Sequence, residues 1–135
     1  MCTKQLIAIV MLLLGSSTAL AGLVQPAPVQ VTIFSTGGGR ASGDMATARF
    51  SKNDVEFIGC GVRRIYTIDG SFQLIAFCEA RTAASVNGTC FTEDAALIEA
   101  LHSISDYSFI VFTWNADGAC TSLGTSTQSV YIPSK

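Results

Sequence analysis

Few side chains in this 135-residue chain could do chemistry: one histidine, five cysteines and ten carboxylates, set against eight basic residues. A hydrolytic triad needs a nucleophile, a base and an orienting acid. His102 is the only base of the usual kind, and no Gly-x-Ser-x-Gly elbow accompanies it. It falls near the end of a predicted helix, where a cationic side chain meets the negative end of the dipole, so a surface histidine is the plainer reading. One histidine cannot build a His-rich zinc site, and the cysteines lack Cys-x-x-Cys spacing. Asn115-x-Asp117-Gly118 shares two ligand types with a calcium loop but has no terminal Glu, and a hairpin turn explains it. The run from Thr36 to Arg40 is glycine-rich like a phosphate cradle but lacks the Gly-Lys-Ser/Thr ending, so a flexible loop is expected. Neither a metal nor another cofactor is expected.

Glycosidase chemistry needs two acids facing one cleft. Glu79, Asp54 and Glu56 are available, but nothing in their spacing brings two of them together. Asn87-Gly88-Thr89 matches a glycosylation sequon, although Asn-Gly already reads as a turn. Arg40, Arg49 and Arg81 are the polar residues to watch for ligand contact, against the plainer role of solvated or salt-bridging strand neighbours. Trp114 is read first as a core residue packed near a disulfide, and second as a platform for stacking on a sugar.

The cysteines point to a compartment. Residues 1–21 have the layout of a secretory signal: Lys4, the apolar run from Leu6 to Leu14, and Ala19-Leu20-Ala21 as the cleavage site. That apolar run is shorter than the roughly 20 residues a membrane span needs, and the polar break at Gly15-Ser16-Ser17-Thr18 follows it. Cleavage before Gly22 removes Cys2 and leaves Cys60, Cys78, Cys90 and Cys120, an even count in a small exported domain. It also removes Lys4, leaving seven basic residues against ten acidic ones, a formal charge of −3. No basic stripe is visible, which argues against nucleic acid as a partner. The exported chain is expected to enter no membrane and to reside in the periplasm or outside the cell.

The elements that must position these residues read as one β-rich domain over 29–135, preceded by an extended lead-in over 22–28. Residues 29–35 alternate as a strand does, and 44–50 fit either a short helical turn or an edge strand, with the strand preferred. Residues 56–66 and 72–81 form a hairpin around Asp69-Gly70. Centred there, it places Tyr66 opposite Phe72, Arg64 opposite Leu74, and Cys60 opposite Cys78. Thr92 is the expected cap of a helix over 93–102, with Leu97, Ile98, Leu101 and Ile104 as its apolar stripe. Residues 107–114 are apolar on both faces, as in a central strand, and 119–125 and 128–132 complete the strands. Four cysteines allow three connectivities. Face parity and turn position favour Cys60–Cys78, which leaves Cys90–Cys120. The fold class is mainly antiparallel β, a sheet or sandwich with one short helix and two disulfides, with α+β as the alternative.

Two stretches carry a likeness. Gly43-Asp44-Met45-Ala46-Thr47-Ala48-Arg49-Phe50-Ser51 with Phe57-Ile58-Gly59-Cys60, and Phe109-Ile110-Val111-Phe112-Thr113-Trp114 with Gly118-Ala119-Cys120-Thr121-Ser122-Leu123 and Tyr131-Ile132-Pro133, resemble a group of small exported bacterial proteins of unknown function. The likeness covers about residues 43–133 and departs from the group at Asn115, where an Asp often follows the tryptophan. It implies a class and a location, and no activity.

The missing site chemistry and the stapled scaffold together predict a non-catalytic binding, inhibitory or envelope-associated module. Its partner would be an envelope or extracellular protein or glycan. The alternatives are a small secreted hydrolase using His102 or paired acids, and a structural, self-associating protein with exposed edge strands.

Overall fold

The structure, a computed structural model, describes residues 22–133. The secretory leader expected over residues 1–21 lies outside the described residues. Seven strands form two antiparallel sheets. One has the order β1 (Gln30–Ile33), β2 (Gly39–Asp44), β6 (Ser108–Trp114), β7 (Cys120–Thr127); the other has β3 (Phe57–Tyr66), β4 (Phe72–Arg81), β5 (Asn87–Thr92). Helix α1 (Met45–Arg49) follows β2, and α2 (Ala95–Ala100) runs into a 3-10 turn at Leu101–Ser103. Mainly antiparallel β in sandwich-like sheets, with two disulfides, is therefore the architecture. Among the described residues no helix is long and apolar enough to cross a membrane.

Strand β6 supplies the centre of the core. Ser108, Ile110, Phe112 and Trp114 alternate inward and are buried, while Phe109, Val111 and Thr113 between them are half-buried. Facing them are Ile58, Ala76, Cys78, Ala80 and Cys90 of the second sheet, closed at one side by Ile98 and Leu101. The expected helical stripe is thus the one that packs, with Leu97 and Ile104 at its margin.

Several elements depart from the sequence reading. The glycine-rich stretch expected as a loop is loop only as far as Gly38; β2 begins at Gly39 and lies between β1 and β6. Its residues are small because neighbours press on them: a Cβ at Gly39 would stand 2.5 Å from the Trp114 ring, and one at Gly43 3.0 Å from Val29. Of the two readings open for 44–50, the structure has the helical one, over Met45–Arg49. Asp44 caps it, its carboxylate accepting from the Thr47 N–H and hydroxyl, both at 2.6 Å. The same carboxylate accepts from the Ala27 N–H at 2.6 Å, and the Asp44 N–H donates to the Ala27 carbonyl, tying the lead-in down.

Asn87-Gly88 is not a turn. The chain reverses at Thr82–Val86, where Ser85 takes φ 64°, and Gly88 lies inside β5 under Trp114, where a Cβ would come within 2.5 Å of the ring. The cap of α2 is Asp94, accepting from the Ala96 and Leu97 N–H groups; Thr92 accepts from the Asp94 N–H one step earlier. The strand expected at 128–132 is a 3-10 turn at Ser129–Tyr131, with the Tyr131 ring stacked 5.7 Å from Phe109. Its Val130 carbonyl accepts from the Gln25 N–H.

Both disulfides follow from register. Cys78 stands opposite Cys60 on one side and Cys90 on the other. In an antiparallel sheet a central residue has a narrow, non-hydrogen-bonded partner on one side and a wide one on the other. The Cα separation of 4.0 Å between Cys60 and Cys78 marks the narrow pair, and these two are bonded. Cys90 is left at the wide position and reaches across to Cys120 of the other sheet, Cα to Cα 5.0 Å.

Candidate functional site

The β3–β4 hairpin is longer than the sheet that supports it. Both strands have ten residues in unbroken register, whereas β5 pairs only with Ala76–Arg81. The pairs Arg63–Ile75, Arg64–Leu74, Ile65–Gln73 and Tyr66–Phe72 therefore form a two-stranded arm. An isolated ribbon of that kind is marginal in water. This one is held at its base by the Cys60–Cys78 bond and along its length by side-chain pairs. The Tyr66 and Phe72 rings lie 4.1 Å apart, and the Arg64 guanidinium stands 5.3 Å from the Phe72 centroid. On the opposite face Arg63 stands 4.4 Å from the Phe77 centroid.

At the tip, Gly70 takes φ +82° and its N–H donates to the Thr67 carbonyl. The Asp69 carboxylate accepts from the Thr67 hydroxyl and from the Ser71 N–H and hydroxyl, which hold its pKa down at about 2 from the ordinary 3.8. The tip thus keeps one anion, held by hydrogen bonds within the turn.

The arm's surface is apolar where a solvent-facing ribbon would be polar. Tyr66 is 72% exposed, Phe72 54% and Leu74 41%, with Ile65 and Ile68 also exposed. Alternation places Tyr66, Phe72 and Leu74 on the same face as the buried Ile58, Ala76, Cys78 and Ala80. The inward face of the sheet runs on past the end of the core. Beyond that point it forms one wall of a groove of about 490 Å³ whose other wall is α2: Phe72 and Leu74 face Ala95 and Ile98, with Gln73, Glu93, Glu99 and His102 also lining it.

The residues singled out from sequence lie elsewhere or at this groove's rim. His102 is exposed on the 3-10 turn, its Nδ1 3.3 Å from Glu99 Oε2. Arg81 donates through Nε to Asn87 Oδ1 at 2.6 Å and stands 5.4 Å from the Phe57 centroid. Arg40 is exposed on β2 opposite Thr32 and Thr113. Trp114 is buried between Gly39, Gly88 and Phe112, so its faces are taken up by the protein.

Arg49 lines a separate cleft of about 410 Å³ with Met45, Asn53, Asp54, Glu56 and Asp106. Here the structure corrects the sequence reading, because carboxylates do gather in one cleft. Glu56, however, is already engaged: Oε1 accepts from the Val29 N–H at 2.6 Å, and Oε2 from Asn53 Nδ2 at 3.1 Å. No group of acidic, histidine or cysteine side chains suited to a metal ion occurs among the described residues.

Sequence reasoning missed the arm. The available signal was the presence of Ile65, Tyr66, Ile68 and Phe72 hard against an Asp-Gly turn, where a solvated hairpin carries polar residues. No family model, curated protein or solved structure matches the chain. The fold and the site together define a disulfide-stapled, two-sheet β protein with a projecting apolar arm.

Proposed function

We propose that this chain is an exported, non-catalytic binding module that docks on an envelope or extracellular protein through the β3–β4 arm. The observation that carries the reading is the continuation of a core-type face, Tyr66, Phe72 and Leu74, beyond the core. Contiguous apolar surface of this kind marks an interaction site, and aromatics and arginine are the side chains that dominate such contacts. The leader-like residues 1–21 and the two disulfides suit a protein that works in an oxidising compartment.

A photocrosslinking residue placed at Ile68 of the mature chain should trap a discrete envelope or extracellular protein. The same residue placed at Arg40, on the other sheet, should not. Identical adducts from both positions would reject the arm as the docking element.

A second reading, a small secreted hydrolase, draws on the Arg49 cleft, where Asp54 and Asp106 lie with the engaged Glu56. It requires that Asp54→Asn or Asp106→Asn abolish an activity that His102→Ala leaves intact, since His102 lines the arm–α2 groove and not this cleft.

A further inference from the structure

We infer that the groove between the arm and α2 receives the arm of a second copy of this chain, so that two molecules clasp each other about a two-fold axis. The inference rests on the arm being a docking element, as above, and names its first occupant.

Charge on the two walls favours a second copy as the occupant of this groove. Arg64 lies on the groove-facing side of the arm, over Phe72, with no ion-pair partner among the described residues. The facing wall carries Glu93 and Glu99. Glu93 accepts from Gln73 Nε2 at 2.6 Å, and among the described residues Glu99 is engaged only by the exposed His102. One chain thus carries a cationic, aromatic arm and an acidic, apolar-floored groove that do not satisfy each other within the molecule.

The second argument is closure. Phe72 and Leu74 belong to the arm and also wall the groove. A two-fold rotation that lays a neighbour's arm against them also lays this arm in the neighbour's groove, and every contact is then made twice. That is an isologous interface, which stops at two copies instead of growing into a fibre. An arm of four residue pairs spans about 14 Å at roughly 3.4 Å per residue, which puts the interface at the small end of specific contacts. A dissociation constant in the micromolar range is therefore expected.

The experiment is a charge swap read by sedimentation equilibrium on the mature, oxidised chain across about 1 to 300 micromolar. The wild type should double in mass over this range. Arg64→Glu alone, and the double variant Glu93→Lys/Glu99→Lys alone, should each weaken association at least about tenfold, because each meets like charge twice. Mixing the two variants should restore the dimer, since each arm then faces a wall of opposite sign. All these positions are exposed or at a rim, and unchanged circular dichroism would exclude misfolding as the cause.

A wild type that stays monomeric throughout overturns the inference. So does a mixture no tighter than its components, or a dimer that both variants retain. A monomeric wild type that still crosslinks a partner through Ile68 would sink this inference alone. A dimer without such a partner would sink only the envelope-binding reading.

Discussion

The root and the arm of the β3–β4 hairpin share two strands, one register and one alternation, yet they end in different surroundings. At the root, Ile58, Ala76, Cys78 and Ala80 are buried against the first sheet. A few residues further out, Tyr66, Phe72 and Leu74 on the same face meet water. The difference teaches that apolar alternation reports which face of a strand is which, and not whether anything covers it. Cover is supplied by β5, β6 and α2, whose lengths are set elsewhere in the chain.

The largest effects should come from the two staples. Cys90–Cys120 spans 30 residues and joins the sheets; Cys60–Cys78 spans 18 and joins neighbours within one. In the chain-entropy description their removal costs about 3.6 and 3.2 kcal/mol. Paired Cys→Ser variants compared by denaturant unfolding should fall in that order.

A Cys60→Ser chain tests the register argument further. Because Cys90 occupies the wide position opposite Cys78, peptide mapping should find Cys90–Cys120 intact and Cys78 as a free, buried thiol. Finding Cys78–Cys90 instead would refute the narrow-and-wide assignment.

Next in size is the contrast between the two halves. Ile58→Ala should cost about 2–4 kcal/mol, because the side chain is buried in a packed core. Leu74→Ala, on the same face but in the arm, should shift folding stability by less than about 0.5 kcal/mol in a monomeric sample. Equal losses at the two positions would mean that the arm packs as the root does. Asp44→Ala lies between these, at about 1–3 kcal/mol, since it takes the buried acceptor away from the half-buried N–H groups of Ala27 and Thr47.

These sites also mark how much was legible beforehand. The hairpin register and both disulfides could be read because an Asp-Gly turn and two cysteines of matching parity constrain one another. Strand β2 could not, because Gly39, Ala41 and Gly43 have the composition of a loop; they are small to admit Trp114 and Val29, which only the packed fold reveals. Helix α1 has five residues, too few to show a period, and its one sequence cue, an Asp three residues before a Thr, is common in turns. The carboxylates at Asp54, Glu56 and Asp106 converge through tertiary structure, across 52 positions of chain. The arm was half legible: its alternation was read correctly, but where the first sheet stops supporting it is a property of other strands.

The smallest predicted effect isolates the tip from the root. Asp69 is fully exposed, yet hydrogen bonds from the Thr67 hydroxyl, then the Ser71 N–H and hydroxyl, hold its pKa at about 2, below the ordinary 3.8. A depressed carboxylate contributes its stabilisation fully above the unfolded value and loses it as pH falls through the folded one, so the turn should loosen only between about pH 4 and pH 2. The Ser71 amide resonance should titrate with a midpoint near 2, while amides at the root, such as Ala80, stay still over the same range. Asp69→Asn should abolish that titration and leave the Tyr66–Phe72 pairing in place. A Ser71 midpoint near 4 would mean that the turn is open in solution. The arm would then lack the fixed tip geometry on which docking into a second copy depends, whereas the Cys60–Cys78 root would be unaffected.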